Sequence, residues 1–227
     1  MLSPVVQFHG KWPFRRMLGM QEPFSVLFSF FNFAAHWHGM SRIQESIPAW
    51  HSLRKYYMAF GYFGLASWTF SMIFHTRDFA ITEKFDYWGA GASVLYGLYL
   101  AVVRILRLDL ENPPAPSDPA SPVDRNLYSA LHAASNVAVG IIQNLMWTGF
   151  SIVRYKKHLK SWTAWPGMIV AWLILAMSLE LLDFPPWNGL IDAHSLWHLG
   201  TVVPTAWWYS FLIKDTQDDI ASHRLKA

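Results

Sequence analysis

The sequence predicts an all-α, polytopic bundle of membrane-spanning helices, and three observations carry that reading. Of its 227 residues, 53% are hydrophobic and 15% charged, against about 45–50% and about 25% in an ordinary soluble domain. The aromatic share is 17%, with 13 Trp, 16 Phe and 9 Tyr, more than one core needs and suited to helix ends at a membrane interface. Apolar runs of about 20 residues, the length that crosses a hydrocarbon core of about 30 Å, recur along the chain. No period-two alternation points to strands or a closed barrel.

Six runs qualify. The first, 24–40, contains His36 and His38, two apart and so on different faces, which read as interfacial residues rather than a ligand pair. The runs 56–74, 133–153 and 193–213 contain no Asp, Glu, Lys or Arg; 87–103 is also uncharged but slightly short, and 165–182 carries Glu180 near its end. Residues 111–122, ENPPAPSDPASP, hold five prolines and read as an extended linker that cannot cross a bilayer. His9, His51, His132, His158 and His223 fall in loops or at helix ends, where solvation is the default.

Lys and Arg bias orients the spans. Arg42, Arg54 and Lys55, then Arg104 and Arg107, then Arg154, Lys156, Lys157 and Lys160 mark cytosolic ends, while loops 76–84 and 184–192 face the lumen or exterior. Arg107 and Arg154 are then both cytosolic although a single apolar run separates them, so one crossing is missing. An odd number of crossings is needed between 103 and 193 to bring the last span back to the lumenal side. The sequence therefore predicts a chain that is misinserted or inactive until an apolar helix of about 20 residues is restored between Arg107 and Asn126.

With no cysteine, disulfides, a thiolate zinc site and a Cys nucleophile are excluded, and the 10 histidines become the main candidates for chemistry. The net charge of +3 is too small and scattered for nucleic-acid binding. Ser71-Met-Ile-Phe-His75, Asp86 and His194-Ser-Leu-Trp-His198 stand at span ends on one predicted side. His194 and His198, at i and i+4, share a helix face; with His75 they make a three-His site that leaves a fourth tetrahedral position open, the catalytic type for Zn²⁺. Zinc lowers the pKa of bound water from about 15.7 to about 7. Asp86 then orients that water or takes its proton, and Ser71, one turn before His75, donates to a developing oxyanion. Glu180, Asp183 and Asp192 are candidates to receive the free ring N–H groups. Ser195 neighbours His194, but adjacent helical side chains diverge, which argues against a Ser–His nucleophile pair.

At FHTRD (74–78), TEKFDY (82–87), LELLDFPP (179–186), DAHSLWH (192–198) and QFHGKWPF (7–14) the chain resembles the post-GPI attachment to proteins factor 3 family, GPI-specific phospholipases A2. That family is grouped with alkaline ceramidases and adiponectin receptors in the CREST superfamily of seven-helix membrane proteins. Ser71, His75, Asp86, His194 and His198 match the superfamily motif one for one. The resemblance implies a single transmembrane hydrolase domain over 1–227 with zinc on His75, His194 and His198, and with Ser71 and Asp86 as catalytic residues. It further implies removal of the sn-2 acyl chain from the lipid of GPI-anchored proteins, in the endoplasmic reticulum or Golgi membrane. Family members carry a signal peptide and a Cys-rich segment before the QFHGKWPF position, and a fourth helix where this chain has the proline-rich stretch; both are expected to be absent here. The competing readings are an alkaline-ceramidase-like amidase and a non-catalytic receptor or subunit, and the LELLDFPP and QFHGKWPF matches favour the GPI enzyme. A haem or di-iron protein is disfavoured for want of further His clusters.

Overall fold

The computed structural model describes residues 6–7, 11–110 and 136–224. These residues form six α-helices and no strand: α1 (Pro23–Ser46), α2 (Arg54–Thr76), α3 (Ala80–Leu106), α4 (Asn136–His158), α5 (Trp165–Leu182) and α6 (Ala193–Arg224). Each predicted span coincides with one helix. The proline-rich stretch 111–122 lies outside the described residues.

Each helix packs on its neighbours in sequence, and α6 packs back on α1, so the six close into a ring. Short turns make most neighbours antiparallel. α3 and α4 are the exception: Arg104 and Arg107 at the end of α3 and Arg154 near the end of α4 meet the same C-terminal stretch of α6. The two helices therefore run parallel, as the basic residues required, and α4 starts at the end of the bundle where α3 starts.

The two ends of the ring differ in chemistry. Tyr57, Leu100, Tyr209, Phe211 and Leu212 form the apolar core in the half that holds the basic residues, with Ile43, Ile47 and Leu53 below them. Tight approach of α1, α2 and α6 requires glycine there. A Cβ on Gly39 would stand 2.2 Å from the Tyr209 ring, and one on Gly64 2.3 Å from His36. His36 is thus buried in the core, hydrogen-bonded through Nδ1 to the Tyr209 hydroxyl at 2.9 Å, and not interfacial as expected; His38 is exposed. His51 is also buried rather than solvated, 3.7 Å from Asp219, because the α1–α2 loop folds under the bundle.

That end is closed by ion pairs. Arg104 clasps Asp215 through Nε (2.5 Å) and Nη2 (2.9 Å). Arg107 pairs with Asp219 at 2.8 and 3.0 Å, while Arg154 bridges Asp215 and Asp218. Burial alone would raise the Asp219 carboxyl, yet His51 beside it and the hydrogen-bonded Arg107 guanidinium hold it well below the usual carboxylate range.

Two stretches, Ala80–Leu106 and Ser161–Leu182, are long and apolar enough to cross a membrane, with mean hydropathy 1.6 and 1.8. On α5 the outward side chains are large and apolar, Leu175 and Leu181 being 70% and 81% exposed. Inside α6, Pro204 has no N–H to give to the carbonyl of Gly200, and the indole of Trp172 on α5 donates to that carbonyl at 2.8 Å. The proline is tolerated because a neighbouring helix replaces the lost bond.

The Arg104–Asp215 pair has side-chain exposures of 3% and 0%. Removing one partner of a buried pair costs about 3–5 kcal/mol because the other charge stays buried alone. Asp215→Asn should therefore lower unfolding stability in detergent by about that amount. Asp218→Asn, which faces the more exposed Lys160, should cost about 1 kcal/mol or less. Equal effects in denaturant titration would contradict this ranking.

Candidate metal centre

At the opposite end, His75 from the last turn of α2 and His194 and His198 from the first turns of α6 come together. One ring nitrogen of each lies within 4.8 Å of the others, and the ring centroids are 4.5–5.2 Å apart. The crossing count allowed this site to assemble only if the path between α3 and α4 rescued the parity. Because α4 starts at the histidine end, α5 returns there and α6 begins beside His75.

The start of α6 is set by a capping box. The Asp192 carboxylate accepts from the Ser195 N–H at 2.8 Å, and the Ser195 hydroxyl accepts from the Asp192 N–H at 3.0 Å. Asp192 is therefore a cap and not a histidine partner, and Ser195 is occupied by the backbone. Asp183 ends α5 in a left-handed conformation (φ 39°) and accepts from Gln7 (2.9 Å) and Trp12 (2.8 Å) of the N-terminal segment. It too belongs to a tie between loops, leaving Glu180 as the sequence candidate that does hold a ring.

Each histidine has its Nδ1 engaged. His75 donates to Glu22 at 2.7 Å, His194 donates to Glu180 at 2.7 Å, and His198 Nδ1 lies 2.9 Å from the hydroxyl of Ser29. The remaining nitrogen, Nε2, is left for coordination; that of His75 is buried without a hydrogen-bond partner. Three imidazoles fixed in this way, one with an orphaned buried lone pair, fit a zinc ion with an open fourth position.

Asp86 lies in the second turn of α3, beside Ser71, His75 and His194. Ser71 is buried on α2, 3.1 Å from Ser29. All five residues singled out in the sequence are therefore neighbours. Sequence reasoning missed Glu22 and Ser29. Their signal was present: Ser25, Ser29, Asn32 and His36 recur at i, i+4, i+7 and i+11, a polar stripe on an otherwise apolar helix. Asn32 donates to the His198 carbonyl at 2.7 Å and accepts from Thr201 at 3.1 Å, so the stripe faces α6. Burial would raise the Glu22 carboxyl, but the hydrogen bond from His75 and the charges of His75 and His194 hold it below its usual range.

The N-terminal segment straps the mouth of the site. Lys11 pairs with Asp78, the Arg15 N–H donates to Gly189 at 2.7 Å, and the Glu22 N–H donates to the His75 carbonyl at 3.0 Å.

The Per1-like family model matches residues 2–120 and 123–216. The chain belongs to the Per1-like family. A Schizosaccharomyces pombe relative, "Protein PER1 homolog", is 38% identical over 98% of this chain and 71% of its own length. Relatives named "GPI-specific phospholipase A2-like PGAP3" are 37% identical in Danio rerio and 33% in Homo sapiens, covering 93% of this chain and 70% and 69% of their own. The fission yeast alignment spans 241 positions, more than the 227 residues here, so that Per1-like protein carries residues this chain lacks. No solved structure matches.

If this centre holds metal, purified protein should bind one Zn²⁺ or Co²⁺ per chain by equilibrium dialysis. His75→Ala should abolish binding, and Glu22→Ala should weaken it by about 10–100-fold, the usual loss for an outer hydrogen-bond partner. Unchanged affinity in Glu22→Ala would mean that the His75 ring needs no anchor.

Proposed function

We propose that this chain is a membrane-embedded, zinc-dependent lipid hydrolase of phospholipase A2 type. Its substrate would be the sn-2 acyl ester of the lipid in GPI-anchored proteins. The observation that carries the reading is the grouping of three inward-facing histidines with Ser71 and Asp86 at one end of an apolar helix ring. The names of the relatives favour a GPI lipid over a ceramide amide. The exposed apolar side chains of α5 and the two span-length helices support a membrane setting. An endoplasmic reticulum or Golgi membrane and a single multi-pass domain follow from the family resemblance.

A zinc ion on His75, His194 and His198 would supply a hydroxide nucleophile near neutral pH and polarise the ester carbonyl. Asp86 accepts the proton that the attacking water gives up and returns it to the departing alcohol of the lysolipid. Ser71 donates its hydroxyl proton to the carbonyl oxygen as negative charge develops there. Glu22 and Glu180 hold the rings of His75 and His194 in the tautomer that offers Nε2. The acyl ester bond breaks, giving a free fatty acid and a lyso-GPI protein.

Two outcomes test this. Asp86→Asn should abolish release of fatty acid from a GPI-anchored reporter while retaining metal, and Ser71→Ala should cost about 10²–10³ in rate. Full turnover by Asp86→Asn removes it from the mechanism. In the second test, α3 and α4 run parallel, so the described chain stops at Leu110 at one end of the ring and resumes at Asn136 at the other. Inserting about 20 apolar residues between Arg107 and Asn126 should raise deacylation well above that of the 227-residue chain. Full activity without the insert would refute the need for another crossing.

A further inference from the structure

Ser29 touches both His198 on α6 and Ser71 on α2. Its hydroxyl lies 2.9 Å from Nδ1 of His198, 3.1 Å from Oγ of Ser71 and 2.7 Å from the carbonyl of Ser25 one turn earlier. A hydroxyl has one proton to give and two lone pairs to receive with. The carbonyl of Ser25 can only accept, and at 2.7 Å it takes the Ser29 proton. The Ser29 oxygen then accepts from the other two neighbours: from N–H of His198 and from O–H of Ser71. In the alternative arrangement Ser29 gives its proton to Ser71, whose own O–H is then free to turn toward Asp86 nearby. His198 donates to Ser29 in both.

We infer that Ser29 is a positioning residue: its oxygen fixes His198 with the proton on Nδ1 and Nε2 free, and the same oxygen decides whether the Ser71 proton points to α1 or toward Asp86. The inference rests on the metal-site reading above. It assigns to α1, which holds none of the motif residues, control over one ligand and one catalytic hydroxyl. Among the described residues nothing nearby duplicates Ser29. The next acceptor for His198 Nδ1 is the Ser25 carbonyl at 3.4 Å, beyond normal hydrogen-bond length, and Trp68 packs its ring edge-on against His198 at a centroid separation of 5.2 Å. Ser29 itself is fully buried, so water does not replace it readily.

The test compares wild type, Ser29→Ala, Ser29→Cys and Ser29→Thr in detergent. Cys keeps the approximate shape but is a poor acceptor, so it serves if Ala disturbs folding, and Thr keeps the hydroxyl. Cobalt titration followed by the visible absorption of the bound ion should show about 10–100-fold weaker binding for Ala and Cys with an altered band shape, and restoration in Thr. In the metal-free protein, nitrogen-15 spectra of labelled histidine should place the His198 proton on Nδ1 in wild type, with its resonance displaced in Ala and Cys. Cobalt affinity within twofold of wild type in both Ala and Cys overturns the inference, as does a wild-type His198 carrying its proton on Nε2. If wild type binds no cobalt at all, the metal reading fails, and the metal-free spectra still decide the role of Ser29: an unmoved His198 resonance overturns it and a displaced one supports it.

Discussion

A polar side chain that faces another helix inside an apolar bundle is stable only when it is paired, because an unmet hydrogen-bonding group costs several kcal/mol there. The contact between α1 and α6 is built on that constraint. Ser29, Asn32 and His36 on the first helix meet His198, Thr201 and Tyr209 on the last. This seam closes the ring of helices and fixes the rotation of α6 about its own axis. The rotation matters because His194 and His198 must both turn toward His75. Glycines at 39 and 64 let the seam and its neighbours approach closely enough to bond.

The division of the molecule follows from the seam and from the ion pairs at the other end. Arg104 and Asp215 hold α3 against α6 below the apolar core, while Glu22 and Glu180 hold imidazoles above it. Most side chains that do not fit a hydrophobic interior are thus gathered at the two ends or along one line between α1 and α6. Several of the polar residues that lower the hydropathy of α1 and α6, Ser29, Asn32 and His36 on one and His198 and Thr201 on the other, lie in this seam.

Much of this was legible in the chain. Apolar run length gave all six helices, and the Lys and Arg bias placed the ends of α3 and α4 together even though that looked contradictory. The i, i+4 pair, the Ser-x-x-x-His spacing and the acid at the start of the third span identified five neighbouring residues. Glu22 and Ser29 escaped because neither belongs to a spaced pair with a known chemical partner; their role depends on which helix α1 touches, which only the ring closure settles. Asp183 and Asp192 were read as histidine partners on proximity in sequence, but both sit where a helix begins or ends, and the unsatisfied backbone and loop groups there claim them first. His36 was read as interfacial and His51 as a solvated loop residue, whereas a buried imidazole is acceptable once Tyr209 or Asp219 meets it.

The order in which the parts of the site leave the ribosome gives the strap and the seam another meaning. Glu22, Ser29, Ser71, His75 and Asp86 are all made in the first 86 residues, whereas the pair on α6 arrives more than 100 residues later. Until then His75 is held only by Glu22, and Ser29 has nothing on α6 to hold. Any metal bound by all three histidines would therefore wait for the last helix to lie down against the first, and its capture would report that the whole ring has formed. A cell that distinguishes loaded from empty protein would in effect be reading completion of biosynthesis, and any lesion between α3 and α6 that delays ring closure would appear first as a failure of metallation.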